Sequence, residues 1–229
     1  MIEVKGIKKK FGFKTVLDKV TFEAAKGEIT CLIGINGAGK TTALKAIMGL
    51  TPFQSGNILI DGEKLNKKTL EKITYIPDTP IMQPGMTIQQ FMEFMEDFYP
   101  NWNRERAFEL LHFFKLNKGD KISCLSKGNA AKASLLMGLS LDTDYLLMDE
   151  PFSGIDIFSR EQITNVFTSH LIEGRGVIIT THEIQDIEHL IDRVVLLENG
   201  RVCKQFNAED MRISEGKSVI DVMREVYNA

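Results

Sequence analysis

The chain has 229 residues and a formal net charge of −3, with 43% of its residues apolar and 26% charged. That length can bury a sizeable core, and the composition excludes a chain too polar to offset its own conformational entropy. It also supplies no overall basic field for a nucleic-acid backbone, so no nucleic acid is expected as a partner.

From Met1 to about Leu65 short β-patterned runs dominate, among them Val20–Ala24 and Ile58–Ile60, the latter before an Asp61-Gly62 turn. Turn dipeptides between apolar runs predict an antiparallel β layer. Within that stretch Glu28–Ile33 is a β-branched run leading into the glycine-rich Gly34–Thr42 and then the helix-like Ala43–Leu50. Ile73–Pro77 is another candidate strand, after which the pattern turns helical. Thr87 and Gln90 have capping-box spacing, and Ile88, Phe91, Met92, Met95, Phe98 and Tyr99 form one helical stripe. A second helix is expected from about Asn103 to Leu116. Tyr145–Asp149 and Val177–Thr181 are short, continuous apolar runs separated by a helix-length segment, the pattern of buried parallel strands with a crossover. Val194–Leu197, Asn199-Gly200 and Arg201–Cys203 read as a hairpin, and the tail from Asn207 to Ala229 as one short helix after a loop.

Cys31, Cys124 and Cys203 fall in no CxxC or Cys/His spacing, so they are expected as reduced thiols of a cytoplasmic chain and not as zinc ligands. The opening MIEVKGIKKKFG has no apolar stretch of a secretory leader. The most apolar runs are far shorter than the ~18 residues of a membrane-spanning helix. Lys8–Lys10 reads as a solvated face, and His112, His170 and His189 as surface or core residues.

Gly34-Ile35-Asn36-Gly37-Ala38-Gly39-Lys40-Thr41 matches GxxxxGK[ST] at every fixed position, between a strand and a helix. Several backbone N–H groups can converge on phosphate oxygens only where side chains are out of the way, and Gly34, Gly37 and Gly39 provide that freedom. The following helix turns its positive end to the anion, Lys40 adds a full charge, the Thr41 hydroxyl suits Mg²⁺, and Thr42 suits the α-phosphate. At the end of an apolar strand, Asp149 supplies a metal-side carboxylate, and Glu150 a general base or positioner for the attacking water. His182 follows another strand end and is expected at the same sheet edge, near the γ-phosphate.

Together, Gly34–Thr41, Leu125-Ser126-Lys127-Gly128-Asn129, Asp149-Glu150, Ser153-Gly154-Ile155-Asp156 and His182 resemble the ABC transporter ATPases over nearly the whole chain. Phe98-Tyr99-Pro100-Asn101-Trp102-Asn103 and Leu125-Ser126-Lys127-Gly128 are further similar to single-cassette export ATPases of Gram-positive bacteria. The resemblance implies an α/β P-loop NTPase fold, with a mixed, mainly parallel sheet core, an antiparallel β layer and an inserted helical subdomain. It divides the chain into core (1–79 and 134–206), helical subdomain (80–133) and C-terminal helix (207–229). It implies ATP and Mg²⁺ as cofactors, hydrolysis coupled to transport, a membrane permease as partner, and a second cassette, identical or different. The chain would sit at the inner face of the cell membrane through that permease. Ser126 and Gly128 of one copy would complete the nucleotide site on the P-loop of the other, Phe11 would stack on adenine with Val16 beside it, and Asp156 would bridge the copies. As a plain core aromatic, Phe11 has an alternative reading.

Two departures stand out. Ile76-Pro77-Asp78 occupies the place of the family's Q-loop glutamine, so a carboxylate that only accepts hydrogen bonds replaces an amide, and Asp78 is a further candidate in the Mg²⁺ shell. Lys127 stands where the signature has its first glycine, and Asn129 where it has glutamine. Met82 and Met86 are candidates for a groove that receives the partner, whereas Met92 and Met95 belong to the core-facing stripe. The competing functions are an ABC-type ATPase without a permease, in iron–sulfur assembly or as a regulatory switch, and a binding module that regulates a more active cassette.

Overall fold

Alternation of apolar and polar residues at the N-terminus builds two long strands, β1 (Ile2–Phe11) and β2 (Lys14–Ala24), which pair antiparallel around the Gly12-Phe13 turn. The computed structural model describes residues 1–182, 184, 185 and 187–227. β3 (Ile29–Ile33) runs into the glycine-rich loop and α1 (Lys40–Ile47). The chain then returns through β4 (Ser55–Ile60) and β5 (Glu63–Lys64), α2 (Lys67–Leu70) and β6 (Ile73–Ile76). Asp61 and Gly62 both have positive φ, the geometry of a tight hairpin between β4 and β5.

Three helices follow: α3 (Ile88–Phe98), α4 (Arg104–Phe113) and α5 (Lys127–Leu139), the last running unbroken across position 133. Thr87 and Gln90 form the capping box expected from their spacing, each side chain bonding the other's backbone N–H. Met92 and Met95 are buried on the inner face of α3. β7 (Tyr145–Asp149), α6 (Ile157–Phe167) and β8 (Gly176–Thr181) give the strand, crossover helix and strand that the apolar runs indicate. β9 (Arg193–Glu198) and β10 (Arg201–Asn207) form the hairpin around Asn199-Gly200.

The tail differs from its expected form. It holds two helices, α7 (Ala208–Glu215) and α8 (Val219–Tyr227), and the first starts directly at the end of β10. Gly216 in the left-handed region ends α7, and Ser218, hydrogen-bonded to Asp221, restarts the helix three residues later. Lys9 also departs from expectation. It faces inward with 5% exposure, its ammonium donating to the Pro52 carbonyl at 2.6 Å and lying 4.4 Å from the Phe11 ring centre. His112 lies in α4, and His170 and His189 in short 3₁₀ turns.

One sheet has the order β2-β1-β4-β5 and is antiparallel; the other has the order β10-β9-β3-β8-β7-β6. In the second, every neighbour pair from β9 to β6 is parallel, and β10 is an antiparallel edge. Because side chains alternate across a strand, this sheet is the middle layer. Leu32, Leu147, Ile178 and Val195 face the antiparallel sheet and α1, whereas Cys31, Leu146, Ile179 and Val194 face the helices on the other side. The Cys31 thiol is buried, which pushes its pKa well up, and all three cysteines are free. Among the described residues, no helix is long and apolar enough to cross a membrane.

The layers are tied at one corner by Asp61. Its carboxylate accepts from Tyr145 at 2.6 Å, from Lys72 at 2.7 Å and from the N-terminal ammonium at 2.6 Å. Burial opposes its ionisation, but the bonds from Lys72, the N-terminus and Tyr145 outweigh it and hold the carboxyl well below the ordinary carboxylate range. A carboxyl so depressed stabilises the fold above its unfolded-state pKa of about 4 and loses that contribution as acid protonates it. Asp61→Asn is therefore expected to lower stability by about 1–2 kcal/mol at pH 7, and by progressively less below pH 4, in urea unfolding followed at both pH values.

Candidate functional site

β3, β8 and β7 are consecutive in the parallel sheet, so the segments leaving their carboxyl ends emerge side by side. That is where open α/β sheets collect ligands. In register, Ile33 lies opposite Thr181 and Asp149 opposite Thr180, which brings Gly34–Thr42, Asp149-Glu150 and His182 to one edge.

The loop folds tightly over the start of α1. Gly39 has φ 107°, and an added Cβ would lie 2.7 Å from Leu17 Cδ2 and 2.9 Å from the Val16 carbonyl oxygen, so only glycine fits. Lys40 is drawn inside at 7% exposure. Its ammonium donates to the Gly34 carbonyl at 2.7 Å and pairs with Glu150 Oε1 at 3.1 Å. The other carboxylate oxygen, Glu150 Oε2, lies 2.8 Å from His182 Nδ1. Glu150 is one of the few non-glycine residues with positive φ, 48°, and its N–H donates to the Thr180 carbonyl at 3.0 Å. This turn takes the carboxylate off the line of β7 and toward Lys40 and His182.

Asp149 lies beneath, 1% exposed. Its Oδ1 accepts from Thr180 Oγ1 at 2.6 Å and from Thr41 Oγ1 at 3.0 Å, and its Oδ2 accepts from Tyr75 Oη at 3.2 Å. Thr180 and Tyr75 are absent from the expected set, because only strand register places them beside Asp149. Burial and the charge of Asp149 push the Tyr75 phenol well above its ordinary pKa, so it remains a donor. A threonine hydroxyl touching a carboxylate is a hard-oxygen pair that suits Mg²⁺. Among the described residues no three His, Cys, Asp or Glu side chains are grouped to hold a metal by themselves. Asp78 lines the same cleft, exposed, with Oδ1 accepting the Thr79 N–H at 2.7 Å.

The open cleft above the loop has a volume of about 700 Å³. Asn36–Thr42 line it, Phe11, Lys14 and Val16 contribute from the antiparallel sheet, and Glu150, Ser153, His182 and Lys127 from other segments. Phe11 is 55% exposed, so it is not a core aromatic. Lys14 was missed in the sequence, where nothing separates it from other surface lysines. Gly34 and Asp149 are buried outside the lining, and Ile35 is exposed outside it. Lys14, Lys40 and Lys127 together make a lining suited to a polyanion with an aromatic base.

Ser126 and Gly128 do not reach this cleft. Ser126 caps α5, its Oγ accepting the Asn129 N–H at 3.2 Å. Gly128 packs on the start of α6, where an added Cβ would come within 2.9 Å of the Asp156 carboxylate. Asp156 caps α6 by accepting the Ser159 N–H at 2.9 Å and Ser159 Oγ at 2.7 Å, and these bonds hold its carboxyl below the ordinary range.

Comparison with known proteins identifies the family. The family model described as ABC transporter matches residues 17–153. The linearmycin resistance ATP-binding protein of Bacillus subtilis is 33% identical over 210 residues, covering 88% of this chain and 68% of that protein. The Nod factor export ATP-binding protein I of Paraburkholderia xenovorans is 33% identical over 230 residues, covering 96% and 76%. A solved ATP-binding subunit of an ABC transporter superposes with a TM-score of 0.88 at 28% identity and covers 99% of each chain. The chain therefore belongs to the ABC transporter family as an ATP-binding cassette.

Proposed function

We propose that this cassette binds ATP with Mg²⁺, closes on a second cassette around it, and hydrolyses it to drive a separate membrane permease in the direction of export. The observation that carries this reading is the chain of contacts Gly34–Lys40–Glu150–His182 set directly above the Thr41–Asp149 pair. An anion-binding loop, an acid positioned beside it and a metal-type oxygen pair have one joint use, phosphoryl transfer.

In this reading the N–H groups of Gly34–Thr42 and the Lys40 ammonium hold the β- and γ-phosphates, and the α1 N-terminus adds its partial positive charge. Phe11 and Val16 take the adenine end. Mg²⁺, held by Thr41 and Asp149, would neutralise charge on the phosphate oxygens. Phosphate in the loop offers Lys40 a stronger partner than Glu150, which frees the carboxylate for water. Glu150 Oε accepts a proton as the water oxygen bonds to the γ-phosphorus, and the bond to the bridging oxygen of ADP breaks. His182, bonded to Glu150 through Nδ1, orients that carboxylate. Ser126 and Gly128 lie away from their own cleft and at the head of α5, so a second copy presents them to the γ-phosphate. The likeness to the resistance and export proteins named above supports transport outward, and with it a place at the inner face of the membrane.

An apolar cleft of about 730 Å³ suits the permease. It lies between Ile76-Pro77, the approach segment with Ile81, Met82 and Met86, and α3 with Phe91, Phe94 and Met95. Ile81 is 82% exposed, and a run of aromatic contacts, Phe91–Phe94–Phe98, continues along the same helix. Asp78 in the nucleotide cleft and Ile81 in the apolar one are three residues apart. A short segment thus connects both sites, which favours the permease-coupled reading over an ATPase acting alone.

Lys40→Ala is expected to cut ATP turnover at least ~100-fold by removing charge from the transferring phosphate. Glu150→Gln is expected to lose turnover to a similar extent while ATP still binds and the dimer persists, read by phosphate release and size-exclusion chromatography. Wild-type turnover in either variant would overturn the assignment of that residue. Ile81→Asp combined with Met86→Asp is expected to abolish detergent co-purification with the co-expressed permease while fluorescent-nucleotide binding persists; full retention of the complex would remove the groove as docking site.

A further inference from the structure

The last described helix reaches the back of the phosphate loop. Tyr227 Oη lies 3.2 Å from the Ile33 carbonyl oxygen and 3.1 Å from that of Leu197. Ile33 ends β3 immediately before Gly34, and Leu197 is one residue beyond the last register pair of β3 and β9, Ile33 with Leu196. The two strands must part here because β3 leaves the sheet to form the loop. The Leu197 carbonyl lies past that pair and needs a donor from outside β3. One phenolic O–H, shared between the two oxygens, supplies it.

The same point carries the first residue of the loop. A Cβ on Gly34 would lie 2.6 Å from the Leu197 carbonyl oxygen, so loop, strand and tyrosine converge on one atom. At its other end α8 is fixed by the Val219 N–H, which donates to Glu188 Oε1 at 2.6 Å in the segment that follows His182. Val219 and Val222 are buried, and Ile220, Met223 and Val226 pack on the core between these two anchors. Burial, reinforced by nearby Cys203 and Glu198, pushes the Tyr227 phenol well above the ordinary tyrosine range, so it stays a donor.

We propose that Tyr227 is a positioning residue for the phosphate-binding loop, and that α8 is a brace joining the root of Gly34–Thr42 to the segment after His182. Packing alone would be served equally by phenylalanine; only the hydroxyl answers the two carbonyls. The kinetic part of the inference rests on the ATPase reading above, and the structural part does not.

Tyr227→Phe removes the hydroxyl and keeps the ring. Hydrogen exchange of the nucleotide-free full chain is expected to quicken about 5-fold at the 34–42 amides, the worth of one net hydrogen bond, with α3 and α4 unchanged. In steady-state hydrolysis KM for ATP is expected to rise ~3–10-fold with kcat within about 2-fold of wild type. Unchanged exchange at 34–42 in a folded variant would overturn the brace, as would a uniform rise across the core with kcat and KM both altered. If the wild-type chain hydrolyses no ATP, the ATPase reading fails, and the exchange measurement still decides the brace.

Discussion

Lys40 carries a full charge to a place where it is 7% exposed, and the rest of the site is arranged to make that charge tolerable. A buried ammonium needs both an opposite charge and hydrogen-bond acceptors. Glu150 provides the first and the Gly34 carbonyl the second. Both depend on the order β3-β8-β7, which sets the loop and the acidic pair one strand apart with Thr180 between them. The sheet order is therefore the physical basis of the chemistry, and the left-handed turn at Glu150 is the local strain through which the carboxylate reaches its partner.

The layering that surrounds this edge follows from the middle sheet having two apolar faces. One is covered by the antiparallel sheet, which also brings Phe11, Lys14 and Val16 to the rim of the cleft. The other is covered by helices, among them α5, whose head carries Ser126. Gly128 lets α5 approach the start of α6 closely enough for Asp156 and Ser159 to fill the space a side chain would need. Leu125–Asn129 and Ser153–Asp156 are in this way packed as one unit.

The two departures from the family pattern have different surroundings. Asp78 is exposed at the cleft, with one oxygen already engaged by the Thr79 N–H. Lys127 opens α5, where the helix dipole disfavours a cation, and its side chain extends over Gly154 into the lining of the cleft. Glycine with positive φ at 154 leaves room for that ammonium. Both residues thus set the charge of the cleft.

Much of this was legible in the residues. Gly34–Thr42 between an apolar strand and a helix, the acids closing Tyr145–Asp149, and the cap at Thr87 are local patterns, decided by hydrogen bonding and sterics within a few residues. The tail holds two helices and not one because Gly216 closes the first and Ser218 opens the second within the polar stretch Ser214–Ser218, and Lys9 turns inward to a carbonyl that a strand's alternation does not reveal. Thr180, Tyr75, Lys14 and Tyr227 enter the site's surroundings through strand order, register and the docking of α8. Sequence by itself determined the phosphate loop, the paired acids and the alternation of strand and helix, since each is set by neighbours along the chain. Tertiary structure alone decided which hydroxyls hold Asp149 and which helix backs the loop, since those contacts join residues from 31 to 194 positions apart through the packing of separate strands and helices.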